Sequence, residues 1–224
     1  MANIKGNARQ LASVQRVAEG ADVYLRMLRS GEIGVVDFIA LLSLEGLVLT
    51  VNVGKATTPI AFNGGGLVTT EFDLHVAVPA SVVIIPLELS VSYEVYGTTL
   101  LLETLMQSGS GSVVGAGTAV TPLSSNVSSG KTSACTCTYV AAAGTAFTTN
   151  IKEIWRDTQQ KVVTLATVTD LRDGESYNKT WKASTSGVLD VVGPSQQLAV
   201  WASANAGQGY ITLKYAELPV SAVS

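Results

Sequence analysis

From Asn7 to Arg29 the apolar positions keep a helical spacing. Leu11, Val14, Ala18, Ala21, Leu25 and Leu28 recur at intervals of three and four, a heptad seam along one face. Ser30-Gly31 follows as a stop signal. The pattern predicts one N-terminal amphipathic helix, weakened by about 1 kcal/mol at Gly20. Three heptads are short for an independent coiled coil, so the helix either packs on its own domain or serves as a docking arm. The next stretch, Val35 to Val53, is apolar and about long enough to cross a bilayer, but it carries Asp37 and Glu45. A central acid costs roughly 2.5–3.5 kcal/mol on insertion scales. The stretch therefore reads as a helix end or turn followed by a buried strand.

Beyond Gly46 the period changes from 3.6 to 2. Leu47, Leu49, Val51 and Val53 alternate with Val48, Thr50 and Asn52. A turn at Asn63-Gly64-Gly65-Gly66 precedes a strand over Val68 to Val78. Val82 to Tyr96 reads as a long strand with Leu87, Leu89, Val91, Tyr93 and Val95 on one face and Glu88, Ser90, Ser92 and Glu94 on the other. Pro86 marks either an edge or a bulge in it. Residues 107–130 are mostly small and predict a long loop or weak hairpin at one end of the fold. Further strands are expected at Thr132–Val140, Val162–Leu171 and Asn178–Ala183, with a short helix over Lys152 to Gln160 anchored by Ile154 and Trp155. Gln197–Ser203 and Tyr210–Glu217, joined by a turn at Asn205 to Gly209, predict a closing hairpin. One helix followed by about eight to ten strands points to an all-β antiparallel β-sandwich, most simply a jelly roll. The domain reading is an N-terminal basic helical arm over 1–32 and a single β-sandwich domain over 33–224.

Composition changes the picture in one direction. The chain has 224 residues, enough for a full core, yet only 14% are charged against 47% hydrophobic. Its mean hydropathy of +0.34 is high for a soluble monomer. So few surface charges predict that part of the exterior is covered by copies of the same chain. The net charge of −3 divides unevenly: residues 1–30 hold Lys5, Arg9, Arg16, Arg26 and Arg29 against Glu19 and Asp22, a balance of +3, which leaves −6 for the rest. A basic head on an acidic body suits polyanions, although charge runs are usually solvated faces. Met1 to Gln10 lacks the apolar core of a signal peptide, so synthesis in the cytoplasm without Sec-type export is expected.

Candidate chemistry is sparse. His75 is the one histidine and shares a strand face with Asp73 and Glu71. With no second histidine or nearby cysteine, it reads as an exposed strand histidine rather than a ligand or base. Cys135 and Cys137 lie on one strand face about 6–7 Å apart, too far for a relaxed disulfide, and read as small buried hydrophobes. Asp170, Asp173 and Glu175 could ligate Ca²⁺, but Arg172 sits among them and a solvated turn is the simpler reading. Asn126-Val-Ser128 and Asn178-Lys-Thr180 match the glycosylation pattern at the level of chance. No phosphate-binding, nucleophile-elbow or zinc-protease motif occurs, and no cofactor or metal is called for. Aromatic residues do not interleave with a basic stripe, which argues against a nucleic-acid groove. A carbohydrate-binding module would show a row of aromatics, whereas Trp155, Trp181 and Trp201 are scattered. The expectation is a non-enzymatic protein.

Three features resemble virion proteins of non-enveloped viruses, bacteriophages in particular. They are the basic arm of residues 3–30 leading into a sandwich, the strand pair Phe72–Pro79 and Val83–Tyr93, and the hairpin ending Tyr210–Pro219. The arm departs from the pattern in being shorter and less densely basic than those of classical capsid proteins. The resemblance implies a jelly-roll or tumour-necrosis-factor-like sandwich. It implies a capsid subunit or a capsid decoration (cement) protein, made in the host cytoplasm and located in the virion. The implied partners are its own copies, as a trimer or larger homo-oligomer, and other capsid subunits. The basic arm suits a weak contact with nucleic acid, and no membrane is involved. Leu11, Val14, Leu25 and Leu28 are the candidate arm-docking residues, and the loop around Ser108–Gly130 is the candidate outward tip. The alternative is a tail-fibre, receptor-binding or carbohydrate-binding β-sandwich module.

Overall fold

The computed structural model describes residues 5–7, 22–24, 38–63, 67–96, 101–112, 114–142, 144–160, 178–186, 188–203 and 207–222. Most of the arm lies outside them. Its two described pieces, β1 (Lys5–Asn7) and β2 (Asp22–Tyr24), are short strands paired antiparallel, with Lys5 opposite Tyr24. The expected helix therefore does not run through Asp22–Tyr24. Val23 and Tyr24 favour extended backbone, and Gly20 weakens the helix just before them.

The described body begins with α1 (Phe38–Leu44), a helix of seven residues. The strands that follow are β3 (Val48–Val53), β4 (Ile60–Ala61), β5 (Phe72–Ala77), β6 (Val82–Tyr96), β7 (Leu101–Ser110), β8 (Ala116–Val120) and β9 (Leu123–Ser124). A 3-10 turn, η1 (Val127–Ser129), leads to β10 (Thr136–Ala142) and β11 (Thr149–Gln160). Then come β12 (Asn178–Lys182), a short helix α2 (Ala183–Ser186), β13 (Gln197–Ser203), β14 (Gly207–Pro219) and a last 3-10 turn η2 (Val220–Ala222). They form two antiparallel sheets. One has the order β11-β7-β13-β5-β10-β8. The other has the order β12-β6-β14-β3-β9, with β4 added beside β14. The chain is thus an all-β, two-sheet sandwich.

Four pairings organise it: β3 with β14, β5 with β13, β6 with β12, and β7 with β11. They are nested, the outermost strands in sequence pairing with each other and the innermost likewise. Successive pairs fall on alternate sheets, so the connections from β5 to β6, β6 to β7 and β13 to β14 all cross the sandwich. The period-2 alternation produces the core between the sheets. Leu49, Val51, Leu89, Val91, Ile211, Leu213 and Tyr215 from one sheet meet Leu74, Val76, Met106, Leu198 and Val200 from the other. Two smaller apolar clusters lie outside it. Leu42 of α1 covers Val48, Val83, Ile85, Ala216 and Leu218 on one sheet's outer face. On the other sheet's outer face, Phe72, Leu105, Phe147, Ala199 and Trp201 pack together.

Several expectations are corrected here. The closing hairpin is not one: β13 is flanked by β7 and β5, β14 by β6 and β3, and the two belong to opposite sheets. Leu198 and Val200 meet Ile211 and Leu213 across the core rather than along a ladder. Lys152–Gln160 is strand β11, not helix. Its pairing with β7 shifts register twice, which hides the alternation that would have marked it. Residues 107–110 belong to the interior strand β7 rather than to a loop. Gly109 there faces the ring of Phe147 so closely that a Cβ would lie 2.7 Å from its Cγ. Small residues at this point make room for an aromatic and do not mark a loop. Pro86 sits in an interior strand at a register shift opposite Lys214 and Tyr215, so the bulge reading holds. The shift turns Leu87 away from Leu89 and onto the cluster beneath α1. The strand expected over Val162–Leu171 lies outside the described residues.

Candidate functional site

Strand β5 places its two ionisable residues in the interior. Asp73 carries two backbone hydrogen bonds, its Oδ1 accepting from the N–H of Asn63 at 2.8 Å and its Oδ2 from the N–H of Ala202 at 2.6 Å. Burial pushes the carboxyl up to about 7; the two N–H bonds oppose this and Glu71 adds to it. The β5–β13 ladder ends at Leu74 opposite Val200, and the carboxylate takes over the next contact to β13. Beside it, Trp201 packs against Phe72 with the rings tilted and 5.2 Å between centroids, and donates its indole N–H to the carbonyl of Val68 at 3.0 Å.

His75 is 1% exposed, which corrects the reading of an exposed strand histidine. It lies 5.1 Å from the Phe72 ring, centroid to centroid, opposite Ala199 and Thr138 in the neighbouring strands. Burial lowers its pKa to about 4, and a hydrogen bond with Gln197 offsets part of that. The Gln197 amide is fixed in turn by Ser112, donating to its carbonyl at 3.0 Å and accepting from its N–H at 3.2 Å. The Nε2 atom of His75 has no hydrogen-bond partner among the described residues. Asp73 and His75 are both closed to solvent, each 1% exposed. What the sequence missed was burial on both sheet faces: segments around Leu67 and Phe147 cover the side that alternation marked as wet.

At the opposite margin of β5 the two cysteines are buried and free, as expected. Burial raises both thiols, Cys137 to about 12, where a hydrogen bond with Tyr215 works the other way. A clasp lies beside them. Glu217 of β14 accepts from the Ser133 hydroxyl at 2.6 Å and from the N–H of Ala134 at 2.9 Å, while Ser133 lies 3.0 Å from the Tyr215 hydroxyl. One carboxylate from one sheet thereby holds the segment that leads into β10 of the other. Glu217 escaped the sequence reading because alternation alone does not separate a clasp from a solvated acid.

The remaining sequence candidates divide. Asn126 is held by the fold: its side chain accepts from the N–H of Ser128 and donates to the carbonyl of Leu44 at 2.7 Å, binding η1 to the end of α1. Asn178 pairs with the hydroxyl of Ser92. Trp181 is in the core, Trp155 packs against it, and Trp201 is buried beneath the outer-face segments, so the three form no exposed row. Leu11, Val14, Leu25 and Leu28, together with Asp170, Asp173 and Glu175, lie outside the described residues. Among the described residues no group of three or more His, Cys, Asp or Glu could hold a metal ion. Nor is any described helix long and apolar enough to cross a membrane.

The surface carries exposed large apolar side chains. Phe38, Leu41 and Leu44 lie along α1, with Leu123 and Val127 on the segments that close against it. Val188, Leu189, Val191 and Ile151 are exposed as well, with Lys152 of β11 paired to Asp190 beside them. Compared with protein-family models, curated proteins and solved structures, the chain matches none.

Proposed function

We propose that this chain is a non-enzymatic structural subunit of a virion, a capsid or capsid-decoration protein with a jelly-roll or tumour-necrosis-factor-like sandwich that works by self-association. The observation that carries the reading is the nested pairing of eight strands: β3 with β14, β5 with β13, β6 with β12 and β7 with β11, wound over two sheets. A ribbon of four antiparallel pairs rolled in this way is the plan of a jelly roll, an architecture used in viral shells. The excursion between β7 and β11 adds β8, β9 and β10 at one margin of the roll. Low charge and the exposed apolar side chains of α1, β9 and η1 support burial against further copies.

In this reading the rigid roll supplies shape, and weakly charged sides join copies into a trimer or larger assembly. The N-terminal arm docks on a neighbour through Leu11, Val14, Leu25 and Leu28. Light scattering of the purified chain across a concentration series, followed by electron microscopy, tests the reading. Oligomers or particles are expected, and a monomer at every concentration would overturn it. Removing residues 1–30 tests the arm alone: assembly equal to that of the intact chain refutes the docking role.

A further inference from the structure

We propose that the free edge of β8 joins two copies of this chain, β8 of one pairing antiparallel with β8 of the other about a two-fold axis at Thr118. The inference rests on the self-association reading and names the surface responsible. Strand β8 ends its sheet. It pairs with β10 on one side, with Thr118 opposite Tyr139 and Ala119 opposite Thr138, and with no other strand among the described residues. Ala116, Gly117, Thr118 and Ala119 are all exposed.

The other end strands of the two large sheets are guarded. Strand β11 carries Lys152, Glu153, Arg156 and Asp157 and shifts register twice. Strand β12 carries Lys179 and Lys182, and β9 is two residues long. Charges, bulges and shortness are the usual devices that keep a sheet edge from pairing with another chain. Strand β8 carries no charge and is five residues long, and the one register shift in its pairing with β10 falls between Tyr139 and Ala142, where the extra residue belongs to β10 and not to β8. From Thr104 to Gly130 the chain holds no charged residue.

The surface is electrostatically compatible with itself, because a two-fold axis brings no like charges together. Register is compatible as well. Centring on Thr118 sets Gly117 opposite Ala119 and Ala116 opposite Val120, so small side chains meet on both faces and strands can approach to about 4.8 Å. Beyond Pro122 the chain passes to the facing sheet, where Leu123 is 63% and Val127 92% exposed, adding apolar area along the same margin.

Charge reversal on the full-length chain tests the pairing. Thr118→Lys and Thr118→Glu each place like charges opposite one another and are expected to weaken self-association about tenfold or more. An equimolar mixture should restore it, while Thr158→Lys on β11 should leave it unchanged. If both Thr118 variants associate as the wild type does, the β8 pairing is wrong and self-association stands. A wild type that stays monomeric removes both. Should the charged variants fail to fold, Thr118→Cys decides: paired strands set its Cα atoms about 4.5–5.5 Å apart, within disulfide range. Oxidation then gives a covalent dimer, and its absence overturns the pairing.

Discussion

The carboxylate of Asp73 stands where a backbone ladder would otherwise continue, accepting the N–H of Ala202 at 2.6 Å across to β13. The same group holds Asn63 at 2.8 Å. A buried acid is tolerated there because it replaces two hydrogen bonds the backbone cannot make. Asp73→Ala removes both acceptors and leaves two interior N–H groups unpaired, each costing about 1–3 kcal/mol. The variant should lose about 2–6 kcal/mol in urea unfolding. A loss under 1 kcal/mol would mean that water or the ladder replaces the carboxylate.

Asp73 and His75 act on stability with opposite signs. The Asp73 carboxyl is raised from 3.8 to about 7, so between those values the folded chain holds a proton that the unfolded chain releases. Its contribution therefore falls as pH rises, by about 4 kcal/mol over the interval. His75 is lowered from 6.5 to about 4, so the unfolded chain holds the extra proton and stability rises with pH, by about 3 kcal/mol. Between about pH 4.5 and 6.5 the two cancel. His75→Gln should expose the Asp73 slope, losing about 1.4 kcal/mol per pH unit relative to wild type as pH rises, and Asp73→Asn should show the reverse. Urea midpoints at several pH values within that window read both slopes. Parallel curves for all three proteins would show that neither group binds protons differently in the folded and unfolded chain over that window.

This pair also marks how far the sequence could be read. Alternation placed β3, β6 and β13 close to their observed ends, because each has a clear apolar face, while β12 offers only Trp181 as an apolar anchor. It does not say whether two successive strands share a ladder or face one another across a core, since both arrangements bury the same residues. That is why β13 and β14 read as a hairpin although they lie on opposite sheets. Register shifts concealed β11, and small residues concealed β7. His75 read as exposed because the cover over its face comes from distant segments such as that of Phe147, which no local pattern reveals. The Glu217 clasp joins residues more than eighty positions apart and leaves no periodic trace.

Glycine supplies a packing test. Gly209 in β14 lies so close to β6 that a Cβ would sit 2.0 Å from the Ser92 carbonyl oxygen and 2.8 Å from the Phe62 ring. The backbone oxygen cannot step aside, so Gly209→Ala must push the strands apart at a cost of about 1–3 kcal/mol or more. Gly130 closes η1 at a φ of +63 with nothing within 4 Å of its would-be Cβ. Gly130→Ala meets only the left-handed backbone penalty, about 1 kcal/mol. Thermal unfolding should rank Gly209→Ala well below Gly130→Ala, and equal losses would place the Gly209 strand spacing in error.

The two thiols make a last test, of how firmly the margin beside β10 is closed. Cys135 and Cys137 are buried, and burial raises both thiols, Cys137 to about 12. At neutral pH almost no thiolate forms, and the thiolate is the species that reacts. A thiol reagent should therefore find neither cysteine in the folded chain and both after denaturation. Glu217→Ala releases the Ser133 hydroxyl and the Ala134 N–H, so the segment entering β10 is held less tightly. Cys135, two residues beyond Ser133, should then react faster than Cys137, whose thiol lies deeper in the strand against Tyr215. Equal rates for the two cysteines in that variant would mean that opening is global and that the clasp does not hold this margin by itself.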